Sequence, residues 1–224
     1  MATIVRKRNP RVASSTRSGD PREASGVRKS VRESYYLGID ASYSGYAVVV
    51  LNGDVATPIV SKFSGKRDWE TVDHVGRLVT IEATLSSIWE TLGGMDVSAV
   101  CLEGYARNVK QGREESGELG ALTKLTLLQH LGRIPCLVAP LQLKKYVTGK
   151  TNAKKDDMKL HVFKRWGFET SDDNVADAYG LARIAQALCE GGDGHTGAQR
   201  EVLSALGNDQ SWRLSRTELQ ERFR

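Results

Sequence analysis

The sequence contains few cysteines and no long run of apolar residues. Its three cysteines, Cys101, Cys136 and Cys189, lie far apart and lack the spacing of a metal site. We therefore expect reduced thiols in a reducing compartment, which predicts a cytoplasmic location. No segment approaches a membrane span of about 20 apolar residues, and no apolar signal-peptide core follows Met1. With 40% apolar and 26% charged residues, the composition is that of a soluble globular protein, so we expect no membrane partner.

Positive charge is concentrated in the first 34 residues. This segment contains nine basic and three acidic residues, a net charge of +6, whereas the whole chain carries +5. Because it has almost no large apolar residues after Val5, we predict a disordered basic arm over 1–34. Such an arm can bind nucleic-acid phosphates without sequence preference. A solubilising tail and an organellar transit peptide are the alternatives, and the three acidic residues argue against the second.

Residues 35–190 alternate between short apolar runs and helical patterns, which predicts one domain. Two apolar runs joined by a Ser/Gly turn predict a β-hairpin over 35–50, and Pro58 in the run 55–63 favours an edge strand. The remaining predicted elements are a helix over 68–92, a strand over 97–105, a loop over 106–118, a helix over 119–131, a strand over 134–139, and helices over 156–166 and 170–188. This order predicts an α/β fold, with a mixed central sheet of about five strands flanked by helices. A tail with one or two short helices is predicted over 191–224.

Two of the predicted strands end in a carboxylate. Asp40 follows the apolar run of the first strand, and Glu103 ends the strand before Gly104. A half-buried carboxylate costs free energy unless it is paired or binds a metal, although an aspartate can also start a turn by bonding the backbone. If the two strands are neighbours, their carboxylates lie close together outside the strand ends, where ligand sites of open α/β sheets gather.

The last core helix carries a third acidic group. Asp173 and Asp177 are spaced i, i+4, and Asn174 and Asp177 are spaced i, i+3, so all three can share one helical face. Small residues that follow, such as Ala178 and Ala182, let this helix pack tightly on the sheet and bring its first turn to the strand ends. Oxygen ligands gathered in this way suit a hard divalent cation, and we predict Mg²⁺, with Mn²⁺ as a substitute. Two such ions can activate water and stabilise the leaving oxygen in phosphodiester cleavage.

These motifs resemble the RuvC family of Holliday junction resolvases, within the RNase H-like superfamily. The matching segments are 37–40 (LGID) with Gly45 downstream, 101–103 (CLE), the helix over 119–131, the basic segment 150–155 and 174–178 (NVADA). The resemblance implies an RNase H-like fold and an endonuclease of recombination and repair that resolves four-way DNA junctions by paired nicks. It also implies a homodimer with two Mg²⁺ ions per active site and no small-molecule cofactor. By this resemblance Asp40, Glu103 and Asp177 are metal ligands and catalytic residues.

Departures from the family pattern leave the fourth metal ligand open. The family position three residues before the last aspartate falls on Asn174, where members commonly have Asp or His. Either Asn174 binds metal through its amide oxygen or Asp173 takes the role one position earlier, and we favour Asp173. The turn after Asp40 lacks the proline–glycine of the bacterial enzymes. Ala106 stands where the family has an aromatic junction wedge, next to Tyr105, which could stack on a base. A divergent, phage-encoded member would fit these departures.

Basic residues of the domain predict a DNA-binding surface. By the resemblance, Lys154 and Lys155 contact the DNA backbone and Lys154 takes part in catalysis, because the family uses lysines in this region. The other predicted DNA-binding residues are Tyr105, Arg107, Lys110, Lys144, Lys145 and Lys150. A solvated charge run is the alternative for the lysines. For the protein as a whole, the alternatives are another RNase H-like nuclease, such as a ribonuclease or a branched-DNA debranching enzyme, and a junction-binding protein with weak catalysis.

Overall fold

The structure, a computed structural model, describes residues 33–43, 45–63, 74–104 and 113–223. The strands are β1, Tyr35–Asp40; β2, Tyr46–Asn52; β3, Val55–Ser61; β4, Val97–Glu103; and β5, Cys136–Val138. The helices are α1, His74–Leu92; α2, Arg113–Leu131; α3, Pro140–Thr148; α4, Lys155–Trp166; α5, Asp173–Glu190; α6, Gly197–Gly207; and α7, Arg216–Arg222, with a 3₁₀ turn at Ser211–Arg213. The predicted arm lies outside the described residues apart from 33–34.

The five strands form one mixed sheet, which confirms the predicted α/β architecture. Their order across the sheet is β3-β2-β1-β4-β5. The meander β1-β2-β3 is antiparallel, whereas β4 runs parallel to both β1 and β5. Pro58 pairs with Val49 on the edge strand β3, where the proline's missing amide hydrogen breaks no ladder on the outer side. Because β1 and β4 are parallel neighbours, the two strands that carry Asp40 and Glu103 end at the same edge of the sheet.

One face of the sheet is covered by α1 and α2. Buried residues of this layer include Leu37, Ile39, Val48, Ile81, Leu85, Leu119 and Leu127. Two buried threonines of α2 add polar contacts. The indole Nε1 of Trp89 donates a hydrogen bond to Thr126 Oγ1 over 2.8 Å. The hydroxyl oxygens of Tyr46 and Thr123 lie 3.1 Å apart. These contacts connect α2 to α1 and to β2. They also give the buried polar groups of Trp89, Thr126, Tyr46 and Thr123 a partner.

The other face is covered by α5, which crosses β1 at Gly38. A Cβ atom at residue 38 would lie 1.9 Å from Ala178 O and 2.2 Å from Ala182 N, so a glycine is needed for the helix backbone to come this close. The helices α3, α4 and α6 pack around α5. Residues beyond 190 that are buried in this layer are Val202, Leu206 and Trp212. The expected short helices of the tail are present, and the division between domain and tail stays a prediction.

The sequence prediction missed α3. No helix was predicted for this segment, and its two lysines, Lys144 and Lys145, were interpreted only as part of the DNA-binding surface. Leu143, Tyr146 and Val147 are nevertheless buried at helical spacing, and Pro140 occupies the first turn, where proline is favoured. The basic residues of this segment therefore project from a helix that packs on α5.

Other differences concern the ends of elements. The helix α2 begins at Arg113, inside the predicted loop 106–118, because a glutamate-rich first turn is a good helix former although it lacks the apolar pattern. Other differences are that β3 ends at Ser61, β4 ends at Glu103, and β5 spans three residues within the predicted strand 134–139. The helix α5 covers Asp173–Glu190, whereas 170–188 was predicted. Residues 68–73 of the predicted first helix lie outside the described residues. None of the helices in the described ranges is long and apolar enough to cross a membrane.

Candidate metal centre

Three carboxylates from separate elements meet at one edge of the sheet. Asp40 is the last residue of β1 and Glu103 is the last residue of β4, and the two strands are in parallel register with Ile39 opposite Leu102. Asp177 reaches the same place from α5. Each of the three offers a carboxylate oxygen, and these oxygens all lie within 4.8 Å of one another. Among the described residues this is the one cluster of acidic, histidine or cysteine side chains that could hold a metal ion.

The start of α5 is fixed by a side-chain cap. The carboxylate of Asp172 accepts hydrogen bonds from the backbone amides of Asn174, at 2.9 Å, and of Val175, at 3.3 Å. An aspartate at this position satisfies two amides that have no partner within the helix. With the helix start fixed here and the helix backbone held against Gly38, Asp177 is placed one turn into α5 and over the end of β1.

Burial raises the pKa values of all three carboxyl groups, and repulsion within the cluster adds to the rise for Asp40 and Glu103. Asp40 is 7% exposed, and its pKa rises from 3.8 to about 8, first through burial and second through the charges of Glu103 and Asp177. Burial, followed by the charge of Asp177, raises the pKa of Glu103 to about 7. Burial raises the pKa of Asp177 to about 6. Near neutral pH the cluster therefore binds protons, or a cation that replaces them.

The donor set fits a divalent cation. It consists of carboxylate oxygens alone, which are the ligands that Mg²⁺ and Mn²⁺ prefer. The nearby lysines only partly compensate the negative charge: Lys155 lowers the pKa of Asp40 and of Asp177, and Lys144 lowers the pKa of Glu103 and of Asp177. The net raised values show that repulsion and burial exceed this compensation. Asp40, Glu103 and Asp177 could thus hold a metal ion, and their role as ligands stays a prediction.

Asp173, which we favoured as the fourth ligand, lies outside this cluster. Its carboxylate is 2.9 Å from the ammonium nitrogen of Lys159 and 3.3 Å from that of Lys155, both on α4. These two lysines, Lys159 first, hold the pKa of Asp173 below its ordinary value. The placement differs from the prediction because α4 packs beside the first turn of α5, which the sequence pattern of α5 alone does not indicate.

Asn174, the other candidate for the fourth ligand, packs on the hairpin turn. A Cβ atom at Gly45 would lie 2.1 Å from Asn174 Nδ2, so the amide group is in direct contact with the backbone that follows Asp40. The absence of a side chain at Gly45 therefore makes room for the amide. Asn174 lies on the side of α5 that faces the β1–β2 turn, and its role as a ligand stays a prediction.

The predicted DNA-binding lysines fall into two groups. Lys144 and Lys155 lie near enough to the carboxylates to change their pKa values. Lys145, Lys150 and Lys154 are not among the charged groups that shift the pKa values of the carboxylates. Lys145 forms an ion pair with Glu201. Lys154 is the residue that precedes α4, and its backbone amide donates a hydrogen bond to the carboxylate of Asp157. Lys150 is exposed, two residues beyond α3. Tyr105, Arg107 and Lys110 lie outside the described residues.

Lys159 is a residue near the site that the sequence analysis did not select. It is spaced i, i+4 from Lys155 on α4, and it contacts both Asp173 and Asp156. The spacing of the two lysines on a predicted helix could have indicated a shared face. The sequence prediction rested on the run of lysines before the helix, and Lys159 lies beyond that run.

The arrangement of strands and helices is an RNase H-like fold. Two solved structures of RuvC from Thermus thermophilus share it, one of RuvC and one of RuvC in complex with a Holliday junction substrate. Both are 18% identical to this chain, with TM-scores of 0.51 and 0.52, and each match covers 66% of this chain and 90% of the solved chain. No family model matches the sequence, and no curated protein sequence matches it significantly. The likeness establishes the fold that the sequence resemblance implied.

Proposed function

We propose that the protein is a metal-dependent endonuclease that cuts branched DNA, with the four-way junction as substrate and Mg²⁺ as the metal. The observation that carries the proposal is the convergence of Asp40, Glu103 and Asp177 at one sheet edge, with oxygens within 4.8 Å of one another. Phosphodiester hydrolysis with divalent cations needs such a set of carboxylates. The choice of a junction as substrate is supported by the similar RuvC structure that contains a Holliday junction.

Each part of the site would contribute to hydrolysis in its own way. The three carboxylates would hold two metal ions, which supply an activated water and stabilise charge on the leaving oxygen. Asp40, buried between its strand and α5, would be a rigid ligand because it has little room to move. Lys144 and Lys155 add positive charge at the rim, where they would attract the phosphate and lower the cost of bringing it to a negatively charged site.

The proposal also includes a wider DNA-binding surface and a homodimer. Lys145, Lys150 and Lys154 would bind the backbone of the junction arms, together with Tyr105, Arg107 and Lys110. A homodimer would place two sites on the two-fold symmetric junction and make paired nicks. We place this activity in the cytoplasm of a bacterial or phage-infected cell, and a phage-encoded enzyme fits the proposal.

Incubation with labelled nucleic acids tests the function. Wild-type protein is mixed with a four-way junction, a matched duplex or an RNA/DNA hybrid, each with Mg²⁺ or with EDTA. We expect symmetric nicks in the junction with Mg²⁺ only, and none with Asp40→Asn. Asp193→Asn is the control, because it makes the same chemical change at an exposed loop position and should nick like wild type.

Each other outcome contradicts a stated part of the proposal. Nicking that survives Asp40→Asn would show that the carboxylate cluster is not the active site. Cleavage of the hybrid but not the junction would indicate a ribonuclease, and preferential cutting of other branched DNA would indicate a debranching enzyme. Tight junction binding without cutting, in the presence or absence of EDTA, would indicate a binding protein.

A further inference from the structure

Asp173 is one helical turn before the cluster ligand Asp177, yet its carboxylate faces α4. It contacts the ammonium nitrogen of Lys159 at 2.9 Å and that of Lys155 at 3.3 Å. Lys159 is the more buried of the two lysines, with 27% of its side chain exposed against 74% for Lys155. The contact with Lys159 is therefore the better ordered one, because an exposed side chain loses more freedom when it forms an ion pair. The ion pair with Lys159 fixes the carboxylate of Asp173, and this carboxylate also forms an ion pair with the more exposed Lys155.

Lys155 acts on two of the three carboxylates of the cluster. Among the charged groups that shift the pKa of Asp177, Lys155 has the largest effect, and it also lowers the pKa of Asp40. Its ammonium group thus contacts Asp173 and is also near enough to Asp40 and Asp177 to lower their pKa values. Without the contact to Asp173, a side chain that is 74% exposed would spend much of its time in solvent.

We propose that Asp173 is a positioning residue, which holds the ammonium group of Lys155 beside the carboxylate cluster, where it contacts the phosphate of bound DNA. The inference rests on the proposed nuclease function. It gives Asp173 a role other than that of a fourth metal ligand. A phosphate placed at the cluster would meet a cation already oriented toward it, so less side-chain entropy is lost on the way to the transition state.

Four variants test the proposal, all measured as the full-length protein on the junction with saturating Mg²⁺. We expect Asp173→Asn to lower kcat ~10-fold without raising KM, because a misplaced catalytic group costs rate rather than binding. Lys155→Gln should lower kcat at least as much. The double variant should be no slower than Lys155→Gln alone, since Asp173 acts through Lys155. Asp156→Asn is the matched control: it removes the same charge from a residue that contacts Lys159 but not Lys155, and should keep wild-type kcat.

A second measurement follows metal binding directly. Mn²⁺ affinity of the protein without DNA, read by electron paramagnetic resonance, should be unchanged in Asp173→Asn and strongly reduced in Asp177→Asn. Equal losses in the two variants would show that Asp173 is a metal ligand and overturn the proposal. Additive losses in the double variant, or a loss in Asp156→Asn as large as in Asp173→Asn, would overturn it as well. Absence of any nicking by wild type would instead refute the proposed function, and the inference with it.

Discussion

Replacement of Asp40 by asparagine should make the metal-free protein more stable at neutral pH. The wild-type carboxyl group is 7% exposed and lies within 4.8 Å of two further carboxylates. Its pKa is raised from 3.8 to about 8, mainly by burial and then by Glu103 and Asp177. Asparagine has the same shape, carries no charge and can donate a hydrogen bond to a neighbouring carboxylate. The variant therefore removes the electrostatic cost of the cluster while leaving the packing nearly intact.

The sign of the effect follows from proton linkage. Well below pH 3.8 the Asp40 carboxyl group is protonated in both the folded and the unfolded chain, so its ionisation costs the fold nothing. As the pH rises, the unfolded chain releases this proton near 3.8 but the folded chain keeps it until about 8, so stability is lost across that window. At pH 7 a shift of this size corresponds to about 4 kcal/mol.

Part of this free energy depends on Glu103 and Asp177, which would themselves relax when the charge of Asp40 is removed. We therefore expect a gain of about 2 kcal/mol in the free energy of unfolding for Asp40→Asn at pH 7.5. For a chain of this length that corresponds to a rise of about 5 °C in Tm. At pH 4.5, where only the first part of this stability has been lost, the difference should fall to about 0.5 kcal/mol.

Thermal unfolding followed by circular dichroism, in EDTA and at both pH values, measures this difference. Addition of Mg²⁺ at pH 7.5 should then raise the Tm of the wild type more than that of Asp40→Asn, because the cation replaces the protons of the cluster. Asp193→Asn should behave like wild type throughout. A variant that is less stable than wild type at pH 7.5, or a difference that does not change with pH, would refute the reasoning.

Two further predictions concern the packing that carries the site. Gly38→Ala should destabilise the fold by about 3 kcal/mol or more, because its Cβ atom would lie 1.9 Å from the carbonyl oxygen of Ala178 and neither backbone can move without breaking the sheet or α5; urea unfolding measures the loss. Thr126→Val should cost about 1–3 kcal/mol, because the buried indole N–H of Trp89 loses its acceptor; thermal unfolding with tryptophan fluorescence measures it.

Each of these variants has a matched control. Gly94→Ala adds a methyl group where nothing lies within 4 Å, and its stability should stay close to that of wild type. Thr80→Val removes an exposed hydroxyl that bonds the preceding turn of its helix, as Thr126 does, but that bonds no indole. If Gly94→Ala and Thr80→Val cost as much as the buried variants, the effects would reflect helix or turn propensity and not the contacts described.

The sequence was sufficient to predict the parts of the site that lie on regular elements with a strong pattern. Asp40 and Glu103 each end an apolar run, and parallel neighbouring strands bring such ends together. Asp177 is on a helix of small residues, a pattern that predicts close packing on a sheet. In these cases the position of the side chain follows from the position of the backbone.

The roles of Asp173 and Asn174 could not be predicted in the same way. Both residues are at the start of α5, where a shift of one residue along the helix changes the direction of a side chain and therefore the residue that it contacts. The neighbour of Asp173, Lys159, is on the preceding helix, and the neighbour of Asn174, Gly45, belongs to a segment far away in sequence. The helix α3 was missed for a related reason, because charged residues at its surface obscured a short apolar face whose burial depends on α5. These contacts arise only from tertiary packing, which periodicity along one element does not encode.

The core and the candidate metal centre both depend on the close contact between α5 and β1 at Gly38. Asp177 can approach Asp40 only because α5 lies with its backbone directly on β1, and that approach requires glycine at residue 38. The apolar packing of α5, which is buried along most of its length, opposes the repulsion among the carboxylates. A site that is electrostatically unfavourable without a cation is thus kept assembled by the layer behind it. For this reason a change at Gly38 should impair metal binding even though no atom of that residue is a ligand.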